Sequence, residues 1–228
     1  MRFAFVASVA ALSVALSNGG ADASHPHDDA GALDFSQSAQ DWSGFYLGVQ
    51  GRRGLGSTVS ETIPPSLNLA IPLGGFLTGL TGGANYEIGS VVVSLESDVN
   101  WANLSGVAVC PNSLSLCNAG IGWLATLRGR AGYAIGKTLI FGTAGVAVGG
   151  IATGTIPDDP SVPEYSGAHP GFVAGGGVEF LAMNDLSLKA EYNFVRLSGT
   201  VPAGTVGPAA VAMTSSIHAV KIGANWHF

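Results

Sequence analysis

Residues 217–228 read IHAVKIGANWHF. From Val220 onward every second residue is apolar: Val220, Ile222, Ala224, Trp226 and Phe228. Between them lie Ala219, Lys221, Gly223, Asn225 and His227, all small or polar. A repeat of two marks a β-strand with one apolar and one polar face. Trp226 and Phe228 close the apolar face. Two exposed aromatics at a strand end suit a barrel set in lipid, where aromatic girdles sit at both membrane interfaces.

The composition agrees with strands in lipid. The chain has 228 residues, room for one domain or two. Charged residues are 11%, apolar residues 47%, and 34 residues are Gly. Disorder needs the opposite balance, low hydrophobicity and high charge. So much Gly also disfavours helix interiors. The formal charge is −6, and no basic run offers a nucleic-acid surface.

Residues 1–23 read as a secretory signal, with Arg2 before an apolar core from Phe3 to Leu16 and a small-x-small site at Ala21-Asp22-Ala23. The apolar run is too short to serve well as a membrane anchor. No cysteine follows the cleavage site, which excludes a lipoprotein anchor. Residues 24–41 are polar and aperiodic and read as a flexible periplasmic leader. Its His25, His27, Asp28 and Asp29 carry metal-ligand chemistry but no scaffold to fix a geometry.

The barrel is expected over residues 42–228. Strand patterns begin at Trp42, Gly75, Ser90, Ile121, Thr138, Gly171, Leu186 and Ile217. The clearest alternation sets Val91, Val93, Leu95, Val99 and Trp101 against Val92, Ser94, Glu96, Asp98 and Asn100. The fifth strand is small and apolar throughout, so its faces are not assignable. Short connections fall at Ile88-Gly89, Ile135–Lys137 and Met183–Asp185. Long ones are expected at 56–74, 103–120, 153–170 and 199–216. Short turns alternating with long loops over an even strand count follow the rule of transmembrane barrels. The expected fold is all-β, an eight-stranded antiparallel transmembrane β-barrel, with both ends of the exported chain on the periplasmic side. A soluble barrel of lipocalin kind shares the alternation but turns its apolar face inward. Scarce charge and aromatic strand ends favour lipid outside.

The faces opposite the lipid then collect Arg52, Arg128, Arg130, Lys189 and Lys221 against Glu96, Asp98, Glu179 and Glu191. An eight-stranded barrel is just wide enough for side chains to fill. Nearly balanced charge on the inner face therefore predicts an ion-pair plug rather than a pore. The competing expectation is a narrow aqueous channel lined by the same groups.

Several segments resemble the small outer-membrane β-barrel proteins of Gram-negative bacteria called outer-membrane immunogenic or porin-family proteins, distantly OmpA-like. They are Trp42–Gly48 (WSGFYLG), Leu127–Ala134 (LRGRAGYA), Gly175–Phe180 (GGGVEF), Leu186–Tyr192 (LSLKAEY) and the aromatic ending. The ending departs by carrying Trp226 and His227 where Tyr and Lys are expected. The resemblance implies a surface-exposed protein of the cell outer membrane. Its partners would be membrane lipid and lipopolysaccharide. The barrel-assembly machinery would read Trp226 and Phe228 as an assembly signal. Porins and haem binders both occur among such proteins, so the resemblance leaves the activity open.

Candidate chemistry is sparse. Cys110 and Cys117 in an exported chain predict a local disulfide. Tyr165, His169 and His218 are candidate haem ligands. Ile63, Leu67, Leu69, Ile71 and Leu73 give the first long segment an apolar character that suits a ligand surface. His169 with Asp158 or Asp159 is the one acid–base set near the rim, but no spacing forces those residues together. Gly142, Gly145, Gly149 and Gly150 mimic a nucleotide fingerprint without its helix. The reading is a non-enzymatic envelope barrel with no cofactor and no metal. Its alternatives are a small-solute porin, a haem-binding surface receptor and, further off, a rim enzyme.

Overall fold

The computed structural model describes residues 41–63, 68–111, 115–156, 164–205 and 209–228. The expected signal and most of the leader, with its His25, His27, Asp28 and Asp29, lie outside the described residues, as do Leu67, Asp158 and Asp159.

Eight strands form one closed antiparallel barrel in sequential order: β1 Gly44–Ile63, β2 Asn68–Ile88, β3 Val91–Val109, β4 Leu116–Ile135, β5 Thr138–Ile156, β6 Tyr165–Leu181, β7 Leu186–Val201 and β8 Ala210–His227. Closure pairs β1 with β8 from Tyr46↔His227 to Ile63↔Ala210, so no strand edge is left open. Two of the short connections are two-residue turns, with Gly89 at φ 65° and Gly136 at φ 58°. That left-handed backbone is what tight hairpins need and what Gly adopts without a steric penalty.

The strands are longer than expected, 16 to 21 residues each. The four long segments expected as loops are mostly strand. Segment 56–74 is the paired ends of β1 and β2, from Gly56↔Leu73 to Glu61↔Asn68. Segments 103–120, 153–170 and 199–216 likewise continue their hairpins. About 9–11 residues per strand cross a bilayer. The rest of each strand stands beyond it.

The physical reason for the difference is a change in the inward face, which is polar within the belt and apolar beyond it. Within the lipid belt the outward face is apolar: Phe45, Leu47 and Val49 on β1, Ile140 and Val146 on β5, Val220 and Ile222 on β8. Beyond the belt the inward face becomes the apolar one. Ile71, Leu73, Leu77, Leu104, Ile121, Leu124, Ile151, Val173, Val195, Leu197, Met213 and Ile217 are buried together there. Outward positions at that level include Ser57, Glu61, Ser105, Asn118, Arg196 and Thr200. The inward face thus follows the membrane rule at one end of the barrel and the soluble-barrel rule at the other, while Val107, Val109 and Ile156 stay exposed on the outward face near the hairpin ends. The bulge at Ile121/Trp123 shifts the inward parity of β4 at this boundary, from Ala119 and Ile121 to Leu124 and Thr126, while β3 keeps its even-numbered residues inward on both sides of the register shift at Trp101/Leu104. Ile71 and Leu73 are therefore core residues, not an exposed ligand surface. Leu69 packs partly buried against the same core, while Ile63 is exposed.

The faces of β5 also become plain. Leu139, Phe141, Thr143, Ala147 and Ile151 point inward, and Ile140, Val146 and Val148 outward.

Candidate functional site: the barrel interior

The interior is filled in three layers. Nearest the short turns Trp42, Val92, Leu139, Phe141 and Leu181 form a small apolar plug. The large apolar core of the hairpins lies at the other end. Between them sit Arg52, Glu96, Asp98, Arg128, Arg130, Glu179, Lys189, Glu191 and Lys221, all buried. Among the described residues these nine are the buried Asp, Glu, Lys and Arg side chains. Period two carries them inward: Arg52 from β1, Glu96 and Asp98 from β3, Arg128 and Arg130 from β4, Glu179 from β6, Lys189 and Glu191 from β7, Lys221 from β8.

Glu96 is the hub. Its Oε2 accepts from Tyr46 Oη at 2.6 Å, Lys189 Nζ at 2.5 Å and Arg130 at 2.9 Å. Its Oε1 accepts from Arg128 and, at 3.4 Å, from Lys221. Arg128 also reaches Asp98 Oδ2 at 2.7 Å, Glu191 and the Asn193 side-chain oxygen. Arg130 donates to Glu179 Oε2 at 2.6 Å and stacks its guanidinium 4.0 Å from the centre of the Phe141 ring. Glu179 Oε1 accepts from Ser187 and Asn225, each at 2.6 Å. Lys221 lies 2.5 Å from Glu191 Oε2. Arg52 lies 2.8 Å from Asp98 Oδ2, at an angle that makes an ion pair but no hydrogen bond. Every carboxylate thus meets at least two cationic or neutral donors, the condition under which buried charge is tolerated.

Tyr46, Asn85, Asn100, Asn193 and Asn225 complete this layer, and sequence reasoning had not assigned them a role there. Period two on β1 places Tyr46 on the same inward face as Arg52. Its ring lies across Gly83, where a β-carbon would fall 2.6 Å from the Tyr46 hydroxyl. The missing side chain at Gly83 is the room that lets Tyr46 reach Glu96.

The haem candidates do not converge. Tyr165 Oη and His169 Nε2 are 3.1 Å apart, and His169 is buried inside the barrel against Gly199. His218 is exposed on the outward face of β8, 2.6 Å from Tyr192 Oη and beside the Phe194 ring. The barrel wall separates the two histidines. An open depression of about 680 Å³ lies between the ends of the β3–β6 hairpins, lined by Val107, Asn118, Ile156, Glu164 and Tyr165 among others. Cys110 and Cys117 are joined by a disulfide across the β3–β4 hairpin end. Among the described residues no group of three or more His, Cys, Asp or Glu side chains is placed to hold a metal ion.

A closed antiparallel barrel with an apolar outward belt and a charged, filled middle is a transmembrane β-barrel. Aromatic side chains such as Phe45, Tyr86, Tyr133, Trp226 and Phe228 lie exposed at one end of the belt, and Phe76 and Trp101 at the other. The family model of the outer membrane protein beta-barrel domain matches residues 8–228. The chain belongs to that family, and its place is the bacterial outer membrane. It is 31% identical over 156 residues to the 22 kDa outer membrane protein of Rhizobium leguminosarum bv. viciae, covering 68% of this chain and 64% of that protein's length. It is 25% identical over 203 residues to the 31 kDa outer-membrane immunogenic protein of Brucella melitensis biotype 1, covering 82% and 84%. Among solved structures, the outer membrane protease OmpT of Escherichia coli is similar in fold, with a TM-score of 0.50 at 6% identity over 81% of this chain and 97% of that one.

Proposed function

We propose that this protein is a closed, non-enzymatic outer-membrane barrel that contributes to envelope integrity and presents its long hairpins at the cell surface. The observation that carries this reading is the interior, where five cations and four carboxylates interlock between two apolar layers. Solutes would have to displace side chains interlocked by ion pairs across the interior. Surface presentation is supported by strands of 16 to 21 residues, which raise the hairpins well beyond the bilayer. The name of the Brucella relative, an immunogenic protein, points the same way. Trp226 and Phe228, outward and exposed, suit recognition by the barrel-assembly machinery, and the hairpin level suits contact with lipopolysaccharide. Among the described residues His169 meets the Tyr165 hydroxyl; Asp158 and Asp159 lie outside them.

Planar-bilayer conductance of the refolded protein tests the reading. The expected outcome is no stable single-channel step. Large, stable steps would replace it with a small-solute porin. A second reading, ligand capture at the hairpin ends, draws on the depression beside Tyr165. Haem titration of the same sample checks it, and a Soret shift lost in Tyr165→Phe would favour it.

A further inference from the structure

The buried charges do not balance. Among the described residues Arg52, Arg128, Arg130, Lys189 and Lys221 face Glu96, Asp98, Glu179 and Glu191, which at their ordinary charges leaves one cation in excess inside the barrel. Arg52 is the cation with the poorest company. Its single carboxylate neighbour, Asp98 Oδ2, already accepts from Arg128 at 2.7 Å and from Thr126 at 3.0 Å. The Arg52 Nε and Nη1 atoms make no hydrogen bond, although the side chain is wholly buried. Across the strands its flanking partners are Leu77 and another cation, Lys221. Above it, at Gly54, the side chains of Leu77, Leu104 and Ile217 crowd together. One neutral acceptor on the same inward face, Gln50 Oε1, is likewise unpaired. That oxygen, or a water, can satisfy an N–H but leaves the excess charge uncompensated, and an uncompensated buried charge is strongly destabilising.

We propose that Arg52 holds a single halide-sized anion inside the barrel, bound through Nε and Nη1 beneath the apolar layer. The anion brings the middle layer to neutrality. A barrel of eight strands leaves room only for a small ion among its side chains. The inference rests on the closed interior proposed above, and its test is independent of conductance.

Two measurements decide it. In crystals of the refolded protein grown in bromide, anomalous scattering is expected to place one bromide against Arg52. Water density there without an anomalous peak overturns the proposal. In detergent, unfolding is compared in chloride and in gluconate, which is too large to enclose, at equal ionic strength. A site with a dissociation constant of about 1 mM lowers the unfolding constant about 100-fold at about 0.1 M halide. Arg52→Gln makes the layer four against four and is expected to abolish that difference. Halide-independent unfolding of the unmodified protein overturns the site, and if Arg52→Gln does not fold, the bromide crystal decides alone. Conducting steps with bromide still at Arg52 would reject the closed barrel and keep the anion.

Discussion

Glu96 sits where Arg128, Arg130, Lys189, Lys221 and Tyr46 meet, so its removal takes a carboxylate from four cations at once and, among the described residues, leaves Lys189 without an ion-pair partner. Glu179 has one arginine, plus Ser187 and Asn225. Breaking a buried pair by removing one partner costs about 3–5 kcal/mol, because the other charge stays buried. Glu179→Ala is expected to fall in that range and Glu96→Ala at or above its upper end, measured by urea unfolding of the refolded protein. A water-filled interior would bring both costs close to zero. Tyr46→Phe removes a hydrogen bond to a carboxylate and is expected to cost about 1.5–3 kcal/mol in the same assay. At Cys110 and Cys117 the untreated protein should resist thiol alkylation and take two labels after reduction. Replacing both by Ala should leave the barrel folded, since the bond ties one hairpin end and no separate strands.

At the scale of the strand, the useful distinction is between the half that meets lipid and the half beyond it. Leu104 on β3 lies in the outer half, is 1% exposed, and packs in the apolar interior core. Leu104→Ala is expected to destabilise the barrel by about 2–5 kcal/mol, as a cavity in a packed core does. If the hairpins were loose extracellular loops, the same change would be nearly silent to urea unfolding. Just past the end of β8 the outward aromatic Phe228 donates its N–H to the Phe45 carbonyl oxygen at 2.9 Å, so its backbone is paired while its ring stays exposed. Phe228→Ala therefore spares the ladder and removes only the ring. Outer-membrane fractionation is expected to show reduced insertion of this variant; normal insertion would mean that the ring is not read during assembly.

For the whole molecule, the period-two pattern and the alternation of connections sufficed for strand number, antiparallel order and the inward position of all nine charged residues. These follow from a local rule, that neighbouring side chains on a strand point to opposite sides. Which carboxylate serves which cation was not legible, because Glu96 and Lys221 are 125 residues apart and meet only when β8 closes onto β1. The count of five cations against four carboxylates is legible in the sequence, but only the folded interior leaves Arg52 with unpaired N–H groups and a shared carboxylate. Strand length is not legible from a single polarity rule, because the inward face changes from polar to apolar along the strands. Ile71, Leu73, Val195 and Leu197 obey the reverse rule, and Gly122 falls at the β4 bulge that shifts the alternation. The sequence by itself determined a barrel with lipid outside and charge inside, since solvent decides which face of each strand must be apolar. Tertiary structure alone decided that the outer halves of the strands enclose an apolar core, because there the surroundings change from lipid to water and only closure of the wall creates an inside for Leu104 and its neighbours to fill.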